Sequence, residues 1–215
     1  MIIGIYKEKG PTSHDVVQNV RNITGEKVGH AGTLDPLARG VLVVGIGKST
    51  KDLNNVLKKE KEYIADIKLG MTSTTDDEDG EKNKFDVKSM PVLEDIEKVI
   101  KNFIGNIFQT PPPHSAIKIE GMEAYKLARK GIKVKMEPRK VDIFKIEILE
   151  YQYPMLKIKV LTGPGVYIRS LARDIGEVLE TGGYLADLER TRVGDFTKEN
   201  SYNILELKEK WPIKE

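Results

Sequence analysis

The run Val41-Leu42-Val43-Val44-Gly45-Ile46 limits the possible folds more than any other stretch of this chain. It is apolar and β-branched with no polar alternation, the pattern of a strand buried on both faces. A strand covered on two sides needs a sheet with helices packed around it, so an α+β architecture with a large mixed, mainly antiparallel sheet is expected. A chain of 215 residues can bury one substantial core or two smaller ones. One catalytic-sized domain over 1–215 with a single excursion is the expectation.

The stretch Val28 to Ala38 precedes that strand and places His30 and Asp35 in a glycine-containing loop. Loops held by rigid flanks often carry catalytic side chains. An Asp before Pro36 also starts ordinary turns, and a lone histidine is usually a polar surface residue, so spacing alone leaves both readings open. Upstream, Met1 to Tyr6 reads as a short strand. Ser13 is the expected N-cap of a helix with Asp15 in its first turn, Val16, Val17, Val20 and Ile23 at helical spacing, and Gly25 as its end. The Asp35 loop is thus expected between a helix and a core strand.

Further along, a Ser/Thr-capped helix is expected over Lys51 to Leu57, and Lys61 to Gly70 alternates as a strand carrying Tyr63. Tyr63 is either a packing residue or a ring presented to a base. Val92, Leu93, Ile96, Val99, Ile100 and Phe103 form a helical stripe that reads as core only. Pro111-Pro112-Pro113 begins a stiff excursion that runs to Arg139 and includes a helix from about Met122 to Lys130, stopped by Gly131. Val141–Leu149 and Leu156–Leu161 read as strands. Ile168, Leu171, Ala172, Ile175 and Leu179 are the buried stripe of a helix, which turns Tyr167, Arg169 and Arg173 away from that stripe. Gly183 to Trp211 reads as a short helix, a strand near Val193 to Phe196 and a terminal helix.

Charge and composition exclude several classes. The net charge of +2 does not diagnose a nucleic-acid binder, but Lys126 to Lys145 holds eight basic residues against two acidic ones, a block able to meet a phosphate backbone or to be a solvated face. The acidic cluster Asp76 to Glu81 reads as an exposed loop and lacks EF-hand spacing. Gly45-Ile46-Gly47-Lys48-Ser49 is not a phosphate loop, because Leu42 occupies the first glycine position. With no cysteine, thiol catalysis and thiolate metal sites are excluded. His14, His30 and His114 are widely spaced, so no metal is expected. No apolar run approaches the roughly 20 residues that span a bilayer, and Met1 to Tyr6 lacks a signal peptide's basic head, so a cytoplasmic protein without membrane partners is expected.

Several separated blocks share one likeness. Gly29-His30-Ala31-Gly32-Thr33-Leu34-Asp35-Pro36-Leu37-Ala38-Arg39-Gly40, the Lys7-to-Val17 stretch, Lys61-Glu62-Tyr63, Pro112 to Lys118, Gly165-Val166-Tyr167-Ile168-Arg169 and Leu188-Glu189-Arg190 together resemble the TruB family of tRNA pseudouridine synthases. The resemblance runs from residue 1 to about residue 210 with the blocks in the family's order. It implies the pseudouridine synthase fold, isomerisation of uridine 55 in the TΨC stem-loop of tRNA, and no cofactor. By position, Asp35 would be the essential carboxylate, Arg169 its guanidinium partner, and Tyr63 the ring that stacks on the target base. His30 would lie against the gap left by the flipped nucleotide, Tyr167 and Leu188 would line the uracil pocket, and Asp77 and Lys7 would be further substrate-binding residues. The excursion at about 111–139 would be an RNA-gripping thumb. A catalytically silent RNA binder on the same scaffold, or the same isomerase acting at another RNA site, are the alternatives.

Two departures from the family pattern stand out: Glu8 follows Lys7 where proline is common, and Thr74 stands where relatives often carry aspartate. The chain ends at Glu215, where many relatives add a C-terminal RNA-binding module, so a short form without that module and a monomer are expected.

Overall fold

The computed structural model describes residues 1–115, 117–119, 121–129, 132 and 135–212. In chain order they form β1 (Ile2–Lys7), α1 (Ser13–Thr24), β2 (Val28–Ala31), β3 (Arg39–Ile46), a 3-10 turn (Gly47–Lys51), α2 (Leu53–Leu57) and β4 (Lys61–Leu69). Then come β5 (Met71–Ser73), β6 (Lys82–Lys84), α3 (Leu93–Lys101), β7 (Gly105–Gln109), β8 (Lys118–Ile119), β9 (Met122–Glu123) and α4 (Ala124–Arg129). The rest is β10 (Arg139–Gln152), β11 (Met155–Thr162), α5 (Ile168–Val178), β12 (Gly183–Val193), β13 (Phe196–Thr197) and α6 (Ile204–Lys210). The main sheet has the strand order β1-β3-β12-β4-β11-β10-β7, with β2 on β3 and β13 on β12. It is mixed, because β12 lies parallel to β3 while β1 and β2 are antiparallel to β3 and β7 is antiparallel to β10.

The chain divides into two compact units: Met1–Ile64 with Leu161–Pro164 and Leu188–Glu215, and Ala65–Val160 with Gly165–Asp187. In the first, β3 is buried on both faces as its composition requires. Leu42, Val44 and Ile46 join Val16, Val17 and Val20 of α1 and Leu207 of α6 in one apolar cluster, while Val41 and Val43 join Leu53 and Val56 of α2 in another. Alternate residues of a strand point to opposite faces, so one unbroken apolar run serves both clusters. Each fully buried Val or Leu contributes about 2 kcal/mol.

The N-cap of α1 lies one residue before the expected one. Thr12 is the N-cap, in a capping box with Asp15: its side chain accepts from the Asp15 amide, and its own amide donates to the Asp15 carboxylate at 2.8 Å. Ser13 is engaged elsewhere, its hydroxyl accepting from the Leu34 amide at 2.8 Å and donating to the Leu34 carbonyl at 2.9 Å. Gly25 closes the helix in the left-handed region. Lys51–Leu57, expected as a single capped helix, is divided between the 3-10 turn and α2, neither with a side-chain cap.

The second unit follows its patterning closely. Ala65, Ile67 and Leu69 of β4, Leu156, Ile158 and Val160 of β11, and Leu171, Ala172 and Ile175 of α5 are all essentially inaccessible, together with Ile96 and Ile100 of α3. In the 111–139 excursion the described elements before β10 are the β8–β9 hairpin and α4. Lys130 and Gly131, the expected end of that helix, lie outside the described residues.

The expected short helix after Gly183 is instead β12. Among its buried residues, Leu185, Leu188, Glu189 and Val193 stand at i, i+3, i+4 and i+8, a spacing that imitates a helical stripe. Strand pairing within the first unit, Glu189 and Arg190 with Arg39 and Gly40 and Arg192 and Val193 with Thr197 and Phe196, overrides that local period.

Gly40 is the tightest point of the parallel pairing. Its φ is 116°, and a Cβ there would stand 2.2 Å from the Arg190 carbonyl oxygen. Gly40→Ala is expected to lower the unfolding free energy by about 3 kcal/mol. Chemical denaturation of both proteins checks this, and a loss under about 0.5 kcal/mol contradicts the contact.

Candidate active site

Lys7, His30, Asp35, Tyr63 and Leu188 fall in the first unit, and Asp77, Tyr167 and Arg169 in the second. Asp35 is half-buried on the turn that joins β2 to β3. His30 is not in that loop; it is on β2, opposite Val44. The loop is tied down along its length. Leu34 is held through both main-chain groups by Ser13, the Pro36 carbonyl accepts from the Gly10 amide at 2.8 Å, and the Asp35 carbonyl accepts from Ala38 at 3.0 Å. The carboxylate therefore projects from a backbone with little freedom to swing.

Three buried cations surround this segment. Lys7 is 1% exposed and donates to the carbonyls of Pro11 at 2.8 Å, Glu8 at 2.9 Å and Pro36 at 3.4 Å, which uses all three of its ammonium protons. Burial lowers its pKa to about 8, while the neighbouring Asp35 carboxylate favours its charged form. Lys61 donates to Lys59 at 2.7 Å and to Leu57 at 3.0 Å, closing the end of α2, and burial with the nearby Arg190 charge lowers it to about 8. Arg190 is 2% exposed and donates from Nε to the Val41 carbonyl at 2.8 Å, from Nη2 to Gly32 at 3.0 Å and from Nη1 to Thr33 at 3.5 Å. Its depressed pKa reflects burial, opposed by Tyr63 and Asp35.

Tyr63 on β4 is buried and sits beside that guanidinium. His30 has its imidazole pKa lowered by burial first and by the Arg190 charge second, which favours the neutral ring. Its Nδ1 is buried with no hydrogen-bond partner. Leu188 is buried on β12, two residues before Arg190.

In the second unit, the start of α5 gathers the remaining candidates. Arg169 is not turned outward as the helical stripe implies: it is buried, ion-paired with Asp77 at 3.3 Å, and donates to the carbonyls of His114 at 2.9 Å and Thr75 at 3.4 Å. Gln109 clamps Tyr167, accepting from its amide at 2.8 Å and donating to its carbonyl at 3.1 Å. Arg173 pairs with Asp76 at 2.7 Å and donates to Thr110 at 2.9 Å. The acidic segment expected as an exposed loop is therefore partly internal. Asp76 and Asp77 are buried because two arginines of α5 compensate them, and burial outweighs Arg173 in raising the Asp76 pKa.

The arrangement around Asp35 provides one fixed carboxylate in the field of Lys7 and Arg190, and the Tyr63 phenol and the His30 imidazole both lie in the field of that same Arg190. That suits an anionic group acting at an electron-poor carbon or on a proton. Among the described residues no group of three or more His, Cys, Asp or Glu is placed to hold a metal ion, and no helix is long and apolar enough to cross a membrane. Arg190 and Lys61 were not candidates from spacing. The available signal was their place in the blocks Lys61-Glu62-Tyr63 and Leu188-Glu189-Arg190.

The buried Lys61 has a measurable signature. Its folded pKa, about 8, lies below the unfolded value near 10.4, so between those pH values the unfolded chain binds more protons and the Lys61 contribution to stability rises with pH. The unfolding free energy of the wild type minus that of Lys61→Met is expected to increase from pH 8 to pH 10. A difference that is flat or falls over that range contradicts the assignment.

Comparison with known proteins identifies the family. The N-terminal domain of TruB family pseudouridylate synthases matches residues 20–168, and the tRNA pseudouridylate synthase B C-terminal domain matches 169–215. The chain is 44% identical over 209 residues to tRNA pseudouridine synthase B of Clostridium tetani, covering 97% of this chain and 72% of that protein. It is 45% identical over 196 residues to the Bacteroides fragilis protein of the same name, covering 88% and 84%. Among solved structures it resembles a Cbf5-Nop10-Gar1 complex chain with a TM-score of 0.77 at 31% identity, covering 99% of this chain and 55% of that one, so it spans about half the length of that structure's chain. The motif blocks, the mixed sheet and these matches together show that the chain belongs to the TruB family of pseudouridylate synthases.

Proposed function

We propose that this protein converts the uridine at position 55 in the TΨC loop of tRNA to pseudouridine in the cytoplasm, acting as one catalytic domain over residues 1–215. The observation that carries the proposal is Asp35: a half-buried carboxylate, fixed on a tied loop beside Lys7 and Arg190, at the family's motif position. The N1–C1′ bond breaks, the uracil turns, a C5–C1′ bond forms, and the C5 proton leaves as N1 gains one. The product is an isomer, so no co-reactant is consumed. Asp35 acts at the sugar, either by adding to C1′ or by starting proton removal at C2′. One carboxylate suffices, unlike the pair needed for glycoside hydrolysis.

The other residues follow in the same reading. Tyr63 stacks on the target base, Leu188 and Tyr167 wall the uracil pocket, and His30, its neutral form favoured, lies against the space the extruded nucleotide leaves. Arg169 supplies a guanidinium to the reaction and depends on Asp77 to hold it. Residues at about 111–139 grip the RNA, with their basic block facing phosphates.

Tritium release from a tRNA transcript labelled at uridine C5 tests the proposal. The wild type is expected to release tritium, Asp35→Asn to lose at least about 10⁴-fold in rate, and Arg169→Lys about 10²-fold. Equal release by the wild type and Asp35→Asn removes Asp35 from its role. No release from either, with tRNA still bound, supports the silent RNA binder. Release that persists from a transcript carrying cytidine at position 55 moves the site to another uridine.

A further inference from the structure

We infer that Arg190 is the positioning residue of the Asp35 loop, setting at once the geometry of the loop, the orientation of Tyr63 and the positive potential on the carboxylate. This rests on the proposed isomerase reading.

Three of the guanidinium's nitrogens are used, and each reaches a different main-chain carbonyl. Nη2 and Nη1 hold Gly32 and Thr33, where the chain leaves β2 and enters the loop, and Nε holds Val41, just after the loop has returned to β3. One rigid, planar group thus spans the loop's two ends and fixes their separation. The anchor itself does not move easily, because its backbone pairs in parallel with Gly40, and Gly40 is in such close contact that no side chain fits.

A purely structural tie does not require a charge. Neutral donors can bond three carbonyls, and an internal cation is costly to keep when its hydrogen bonds go to carbonyls instead of a carboxylate. Arg190 is held in that costly state with Asp35 as the anion that favours its charge and Tyr63 as the other group that does so. Lysine does not replace it. A single ammonium on a flexible stem has no planar fork to span Gly32, Thr33 and Val41 together.

Lys7 and Lys61 show the contrast. Lys7 bonds Pro36 and the segment before α1 from beneath, and Lys61 closes the end of α2; neither contacts both ends of the loop. Only Arg190, among the described residues, is bonded to both the entry and the exit.

The test compares Arg190→Lys with Leu207→Ala, a truncation in the α1–α6 cluster that lowers stability without touching the loop. Steady-state tritium release is measured at a temperature where both are folded by circular dichroism. For Arg190→Lys the kcat is expected to fall about 100-fold while KM for tRNA stays within threefold; Leu207→Ala keeps its kcat within twofold. Equal kcat in the two variants overturns the inference, and so does a loss in Arg190→Lys confined to KM. If Arg190→Lys does not fold, hydrogen exchange of the wild type decides. Amides of Leu34 and Ala38 are expected to exchange in the slow class with those of β12, and exchange as a separate fast loop overturns the inference. Wild-type protein inactive on tRNA overturns the isomerase reading itself, whereas the exchange result still reports on whether the loop opens together with the strand that carries Arg190.

Discussion

Burial of β3 on both faces is the constraint on which the first unit depends. Because Leu42, Val44 and Ile46 belong to one cluster and Val41 and Val43 to the other, a one-residue slip of this strand exchanges the residues presented to α1 and α2. The register is therefore fixed by packing, and the loop that feeds the strand inherits that fixity. Asp35 sits four residues before Arg39, the first residue of β3, so its position is set by the core as much as by its own hydrogen bonds.

Placing cations inside a protein is expensive, and this chain places Lys7, Lys61 and Arg190 within one unit. Hydrogen bonds to carbonyls offset part of that cost, and the depressed lysine pKa values record the part left over. What the unit gains is a standing positive field around a single carboxylate, present before any substrate arrives. The second unit uses the opposite arrangement. There Asp76 and Asp77 are internal carboxylates matched directly with Arg173 and Arg169, and the pairs hold the start of α5.

Much of this was legible in the order of residues. The apolar run of β3, the alternation of β4 and β11 and the stripes of α1 and α5 are local patterns with one physical solution, and each lies where its pattern says; the α3 stripe, expected to be core throughout, is buried at Ile96, Ile100 and Phe103 but exposes Val92 and Leu93, which precede or open the helix. The motif blocks named the family because several agree in order. Reading failed where a distant partner decides the outcome. β12 carries a helix-like spacing and is a strand because β3 and β13 pair with it. Asp76 and Asp77 look like a solvated loop and are internal because arginines nearly a hundred residues later face them. Arg169 looks like the polar side of a helix for the same reason. Arg190 could be seen only as part of a motif block, since its role lies in bonds to carbonyls, which leave no trace in residue identity.

That property has a consequence at the base of the excursion. Arg169, Arg173 and Ser170 grasp the carbonyls of His114 and Thr110, and Gln109 grasps the main chain of Tyr167. A grip on main-chain oxygen is indifferent to the side chain that the residue carries. The side chains of Thr110 and His114, and those of the arm beyond them, can therefore be exchanged without disturbing the attachment. The fold separates what the excursion carries from how it is rooted, which lets its side chains change while its root stays the same.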